Sequence, residues 1–350
     1  MNSSELRKPR IKPLTATQRK AVNVTKEGPI KTDYLRPGQT LPLLIQPTVE
    51  GVDLDTWAQP NQEFINDHLR THGAILFRGF QADALEKFER FIKTVSGELL
   101  EYKDRSSPRH KVSGNIYTST DYPADHHIFM HNENSYSYVW PLKLFFCCVQ
   151  PAEQGGETPI ADVRKVLQHI SPATRQRFIE KGVMYMRNFG DGFGLSWQTV
   201  FQTTDRAVVE DYCRGTGIRA EWKEGNRLRT RQVRPAIARH PQTGEPVWFN
   251  HGAFFHISTL EASVRDALLA EFKEEDLPYN TYYGDGSPFE PAVLEEIRQA
   301  YKQEMIAFPW RAGDVLMIDN MLTAHGREPY VGQRKIVVGM SEPFSARASA

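Results

Sequence analysis

The sequence predicts a mainly β protein, a double-sheet jelly roll with helical decoration, and three observations carry that prediction. Short strand-like runs bounded by Pro, Gly and Asp dominate residues 115 to 160 and 230 to 340. Helical patterns cluster near the start of the chain and in insertions between the strand segments. Strands and helices do not alternate regularly, as a βαβ parallel sheet would require.

In chain order, residues 1 to 45 are rich in Lys, Arg, Thr and Pro and lack apolar periodicity. They read as an N-terminal extension, an arm lying on the body or partly disordered. Residues 46 to 350 read as a single domain with an insertion around 165 to 245. From Pro60, the spacing of Phe64, Ile65 and Leu69 predicts a short helix closed by Gly73, followed by a strand from Ala74 to Phe80. Asp83 and Glu86 have capping-box spacing, and Leu85, Phe88, Phe91, Ile92 and Val95 make a helical stripe that stops at Gly97. Strand-like runs follow at Asn115 to Ser119, Ile128 to Met130 and Leu144 to Val149.

Thr203 to Gly217 predicts a helix inside the insertion. In the charged run Trp222 to Arg234, the residues Arg227, Arg229 and Arg231 alternate as on a strand. They read as a solvated edge, or else as a contact for a substrate carboxylate or an acidic carrier protein. Ile237 to Arg239 and Val247 to Asn250 suit a hairpin turned at Pro241 to Glu245. Ser258 with Glu261 repeats the capping-box pattern ahead of Leu260, Val264, Leu268 and Phe272. Pro291 fits the first position of a helix ending near Met305. Gly313-Asp314 turns into Val315 to Ile318, and Ile336 to Met340 supplies a final strand. No internal repeat is visible.

Composition removes several classes of function. Forty-three basic and forty-three acidic residues cancel, so no global field draws the chain to nucleic acid or an anionic membrane. Apolar runs such as Leu142 to Val149 are far too short to span a bilayer, and no signal-peptide core is seen at the start. A small-molecule partner and a cytoplasmic location are therefore expected. Cys147, Cys148 and Cys213 have neither disulfide nor zinc spacing and read as buried small hydrophobes.

His131-Asn132-Glu133 separates two metal-binding side chains by two residues, and positions i and i+2 of a strand share a face. Oxygen-activating iron(II) takes two imidazoles and one carboxylate on one face of its octahedron, which demands a distant second histidine. Alone the pair proves little. Eleven histidines, each with about a one-in-eight chance of an acidic residue two places on, predict roughly one such pair by accident. Its surroundings supply more. The Gly155-Gly156-Glu157-Thr158-Pro159 turn follows an apolar strand and presents the Thr158 hydroxyl. Pro309 to Asp314 leads through Val315 to Ile318 toward His325. Arg334, nine residues after His325, can bind a carboxylate with its guanidinium.

With these motifs the chain resembles the taurine dioxygenase-like and clavaminate synthase-like oxygenases, which use iron and 2-oxoglutarate, over roughly residues 70 to 345. Within that family it is most similar to the syringomycin-type amino-acid hydroxylases of nonribosomal peptide pathways. The resemblance rests on Ser107-Pro108-Arg109, Tyr117-Thr118-Ser119-Thr120, His131 to Tyr136, Gly155 to Pro159, Trp248-Phe249-Asn250, Asp319-Asn320-Met321 and His325-Gly326-Arg327. It implies a double-stranded β-helix of the cupin-like jelly-roll kind. It also implies Fe(II) held by His131, Glu133 and His325, with 2-oxoglutarate as co-substrate, its distal carboxylate on Thr158 and Arg334, and O2 as oxidant. Some relatives place the clamp arginine where this chain has Gly339, and Arg327 and Lys335 are further cations nearby. Relatives that halogenate carry a small residue in place of the carboxylate ligand, so Glu133 points to hydroxylation.

The substrate implied is an amino acid or a derivative, free or tethered to a peptidyl carrier protein, with no nucleic acid or membrane partner. Candidate pocket residues are Arg109, Tyr117, Thr120, Asn134, Tyr136, Asn250 and His251, each equally readable as packed or surface polarity. Desaturation, epoxidation or cyclisation would use the same motifs. A zinc hydrolase would leave Thr158 and Arg334 without a purpose, and the intact ligand set argues against an inactive jelly-roll binding module.

Overall fold

The run Leu144 to Val149 is apolar on both strand faces because its sheet is covered on both faces. In the computed structural model, which describes residues 29–82, 84–101, 110–119, 122–190 and 194–345, eight strands form the main sheet. Their order is Ile30–Tyr34, Leu43–Pro47, Ala74–Phe77, Val315–Asp319, Val139–Gln150, Lys335–Ser345, Ile116–Thr118 and Lys111–Ser113. All pairings are antiparallel except Leu43–Pro47 with Ala74–Phe77. Alternate residues then go to opposite faces. Phe145, Cys147, Val315, Met317 and Val337 pack under the helices Leu54–Ala58, Gln62–His72 and Leu85–Ser96. Leu144, Phe146, Cys148, Leu316, Ile318, Ile336 and Val338 face the interior. Burying each such phenylalanine or leucine contributes about 1.5–3 kcal/mol.

Across that interior lies a three-stranded antiparallel sheet, ordered Ile128–His131, Thr323–Arg327, Ile160–Asp162. Its Ile160 closes the inner core. Its outer residues Met130, Ala161 and Ala324 join a second core with the helices Val163–His169 and Pro291–Glu304. The two facing sheets with helical cover are the jelly roll expected from the sequence.

Several elements depart from expectation. Residues 30 to 45 are no loose arm. Ile30–Tyr34 and Leu43–Pro47 extend the main sheet at its edge, with Ile30, Leu43 and Ile45 in the core. Asp83 lies outside the described residues, and Ala84 precedes the helix Leu85–Ser96 with no side-chain cap. The helix Ala262–Glu271 begins after Glu261, also uncapped, because Ser258 is taken into a short 3-10 turn, Ile257–Thr259, capped by His256. A four-stranded sheet, Arg219–Lys223, Arg227–Arg234, Val183–Phe189 and Tyr279–Tyr283, joins the segment around 165 to 245 to residues near 280. Arg227 to Arg234 is thereby an internal strand and not an edge. Arg229 is buried against Asp276 and Asn188, and Arg231 pairs with Glu221.

Candidate active site

The small sheet brings the two histidines together. Antiparallel pairing sets His325 directly opposite His131, with ring centroids 4.4 Å apart. Glu133 arrives by a different route from the one the i, i+2 spacing suggests. His131 ends its strand, Asn134 has φ +56°, and Glu133 sits in the intervening turn. That turn is held by Asn320, which is fully buried. Its side-chain oxygen accepts the Glu133 N–H at 2.8 Å, and its amide nitrogen donates to the carbonyls of Glu133 and Pro141 at 2.9 and 2.8 Å. The Asn132 side chain returns a bond to the Asn320 carbonyl at 2.7 Å.

The donor atoms of His131, Glu133 and His325 lie within 4.8 Å of one another, and all three residues are buried. His131 Nδ1 is 2.9 Å from the Phe129 carbonyl. A carbonyl only accepts, so Nδ1 carries the proton and Nε2 keeps its lone pair for a metal. Two imidazoles and one carboxylate converging in this way fit a ferrous ion with open positions left over.

Arg334 and Thr158 stand beside the histidines. Arg334 donates to the Gly156 carbonyl at 2.8 Å through Nε and approaches Ser119 Oγ at 3.2 Å and Thr158 Oγ1 at 3.4 Å. The Trp310 indole N–H donates to Thr158 Oγ1 at 3.2 Å. Gly156 has φ +72°, and a Cβ there would come within 2.9 Å of the Arg334 side chain, so the turn needs glycine where the guanidinium stem passes. Burial, and then the neighbouring Arg327, lowers the Arg334 pKa to about 10. It stays a cation at neutral pH, and among the described residues no carboxylate pairs with it. Such a charge suits a carboxylate ligand.

The other cations are placed otherwise. Arg327 donates to the carbonyls of Tyr122, Pro123 and His126 at 2.9, 2.5 and 2.8 Å. Lys335 is exposed. A Cβ at Gly339 would point at Ile92 and Leu99 in the helical layer, so an arginine there would face away from the site.

Two cavities share His131 in their walls. One of 30 Å³ is lined by His131, His325, Thr158, Ser119, Arg327 and Arg334 among others. The other, of 620 Å³, has His131 and Glu133 in its wall with Tyr122, Phe254, Tyr279 and Arg298. Most residues expected to border substrate do not reach the larger cavity. Tyr117 is in the inner core. Tyr136 is buried among Tyr185, His251 and Phe255, and its hydroxyl donates to Asn134 Oδ1 at 3.4 Å. Asn250 uses its side chain on the Ala236 carbonyl and the Gly252 N–H. His251 contacts Ser135 Oγ at 2.6 Å and packs its ring 5.6 Å from His131. Burial, with His131 nearby, holds His251 well below the ordinary histidine pKa. Arg109 and Thr120 lie outside the described residues.

Sequence reasoning missed the bracing role of Asn320, for which the only signal was its place in Asp319-Asn320-Met321. Asn320→Ala should weaken Fe(II) binding about 10- to 100-fold, as loss of a residue bracing a metal ligand does. Anaerobic Fe(II) titration of the folded variant measures this, and wild-type affinity would deny Asn320 the bracing role.

A jelly roll that sets two histidines and a carboxylate beside a half-buried arginine with no carboxylate partner among the described residues has the layout of an iron oxygenase that takes a keto-acid co-substrate. Residues 36–340 match the family described as taurine catabolism dioxygenase TauD, TfdA family, and the chain belongs to it. The dapdiamide synthesis protein DdaC of Enterobacter agglomerans is 41% identical over 302 residues, which cover 85% of this chain and 92% of that protein. A clavaminate synthase-like protein of Arabidopsis thaliana is 27% identical over 332 residues, covering 90% and 97% respectively. In fold, the chain is similar to PvcB of Pseudomonas aeruginosa (TM-score 0.54, 16% identity, 92% of this chain and 94% of that one). It is similar also to a taurine dioxygenase of Burkholderia xenovorans (TM-score 0.53, 16% identity, 91% and 92%). The protein is accordingly a non-haem iron and 2-oxoglutarate-dependent oxygenase with the jelly-roll fold.

Proposed function

We propose that the enzyme hydroxylates an unactivated C–H bond of an amino acid or amino-acid derivative, free or carrier-tethered, in natural-product biosynthesis, releasing succinate and CO2. His131, Glu133 and His325 would hold Fe(II), and Thr158 with Arg334 the distal carboxylate of 2-oxoglutarate. The observation that carries this reading is that His131 and His325 line one small cavity together with Thr158 and Arg334. The family resemblance and the name of the 41% identical relative, a dapdiamide synthesis protein, favour the amino-acid-derived substrate and the biosynthetic setting.

Iron with bound 2-oxoglutarate supplies the oxidising chemistry, coupling decarboxylation of the keto acid by O2 to insertion of one oxygen atom into a C–H bond. The chain's own residues orient and shield. Arg334 neutralises and fixes one end of the keto acid, with the Thr158 and Ser119 hydroxyls beside it. His131 is kept in one tautomer by Phe129, and Phe254 stacks on its ring at 4.6 Å, walling the metal side of the larger cavity with apolar surface.

Incubation with Fe(II), 2-oxoglutarate, O2 and a panel of free and carrier-bound amino acids should give substrate-triggered succinate and a product heavier by one oxygen. Loss of two hydrogens instead would replace hydroxylation by desaturation or ring closure. Arg334→Gln removes a charge-assisted contact of about 1.5–3 kcal/mol, so half-maximal succinate formation should require roughly 10- to 100-fold more 2-oxoglutarate. An unchanged requirement would remove Arg334 from the clamp.

A further inference from the structure

The larger cavity is also lined by cations other than those given to iron and 2-oxoglutarate. Arg298 lines it from the helix Pro291–Glu304, whose Leu294, Ile297 and Tyr301 are buried in the core. One terminal nitrogen of its guanidinium donates to Ser258 Oγ at 2.6 Å and Thr259 Oγ1 at 3.0 Å. Neither hydroxyl brings a negative charge, and the proton of each is already committed. Thr259 donates to the Ala253 carbonyl at 2.5 Å. Ser258 Oγ lies 2.7 Å from His256 Nδ1, a nitrogen that also accepts the Ser258 N–H and so has no proton of its own. Burial, and then Arg298, lowers the His256 pKa to about 4, so this ring is neutral too.

The guanidinium is thus fixed at one nitrogen by neutral oxygens, and three of its five N–H groups have no acceptor among the described residues. No carboxylate pairs with it there. Glu295, one turn earlier on the helix, is bonded to Gln299 at 2.6 Å, and Glu328 of the cavity wall is 3.4 Å from His127. Lys302, one turn beyond Arg298, lines the same cavity and is also without an ion pair among the described residues. Phe129, Phe254 and Leu260 of the same wall are apolar. A half-buried cation with free donors at a cavity wall is costly unless a ligand compensates it.

We propose that the cavity takes a substrate bearing a free carboxylate, received by Arg298 with Lys302 in support, while its aliphatic part lies along Phe129, Phe254 and Leu260 toward His131 and Glu133. The proposal rests on reading this cavity as the substrate site. Arg298 then selects substrate, and Arg334 serves the co-substrate.

Anaerobic calorimetry on the full chain tests it, with free L-amino acids, their N-acetyl derivatives and the C-terminal carboxamides of both as probes. Fe(II) and 2-oxoglutarate are titrated first, and failure of either to bind would defeat the oxygenase reading itself. With both bound, at least one acid should bind, and its carboxamide about tenfold or more weakly. Arg298→Gln should weaken the acid roughly 10- to 100-fold while leaving the carboxamide and Fe(II) unchanged, and Arg298→Lys should restore part of the loss. Unchanged Fe(II) binding shows that the variants are folded. Equal affinity of acid and amide, no effect of Arg298→Gln, or no acid binding at all would overturn the proposal. So would Arg298-dependent binding of 4′-phosphopantetheine over pantetheine without any acid binding, since the anion would then be a carrier's phosphate.

Discussion

Glu133→Ala is expected to reduce Fe(II)-dependent succinate formation to background, the largest single effect on activity in this molecule. With the carboxylate gone, two neutral imidazoles would face a dication with no anionic protein ligand, in a site where all three groups are buried. The backbone should be spared. Asn320 grips the Glu133 peptide N–H and carbonyl and not the carboxylate, so the turn keeps its clasp in the variant. Folding and metal binding therefore separate cleanly. Circular dichroism should be unchanged while anaerobic Fe(II) affinity falls by at least about two orders of magnitude, more than an indirect bracing residue costs. Normal 2-oxoglutarate-dependent succinate release from this variant would sink the ligand assignment.

Arg78→Ala should have the largest effect on stability. Arg78 leaves the strand Ala74–Phe77 and meets Asp314 in a two-pronged pair, Nε to Oδ1 at 2.9 Å and a terminal nitrogen to Oδ2 at 2.6 Å, with a further bond to the Pro309 carbonyl. Both side chains are nearly inaccessible, at 9% and 1% exposure. Removing the arginine strands a buried carboxylate at the turn that starts Val315–Asp319, a loss of about 3–5 kcal/mol. Denaturant unfolding measures it. The double variant Arg78→Leu, Asp314→Leu should recover much of that loss, because burying neither charge avoids the desolvation cost. A single-variant loss below about 1 kcal/mol would mean that water or another cation reaches Asp314.

The sequence was most informative where one local pattern determines one local structure. The stripe Leu85 to Val95 became a helix ending at Gly97, and Pro291 opened a helix as placed. The run Leu144 to Val149 lies in the doubly covered strand Val139–Gln150. The three proposed ligands were legible as residue types, but the reason that they meet was not. Strand alternation does not carry Glu133, and the turn that does depends on an asparagine 187 positions away. The substrate candidates sit close to motif residues in sequence but not in the wall of the larger cavity: Tyr117 packs in the inner core, Tyr136 bonds the Asn134 side chain, and Asn250 bonds backbone groups. Apart from His131, Glu133 and Glu328, the wall of the larger cavity comes from Tyr122 to Met130 and from residues 254 to 305, segments in which no ligand-binding motif was read. Arg229 and Arg231 read as a solvated face because their acidic partners Asp276 and Glu221 lie on other elements.

The clasp between Asn320 and the Glu133 turn has a consequence for the order in which the molecule assembles. The contacts span 187 residues and enclose the whole inserted segment, so closing that loop before the insertion has folded is entropically unfavourable. Neither half of the ligand set is a preformed chelate on its own, since His131 and Glu133 depend on the far strand for their geometry. Metal capture should therefore be among the last events of refolding, with iron loading lagging behind the recovery of helical signal. Variants that slow folding of the insertion would then accumulate as largely folded, iron-free protein.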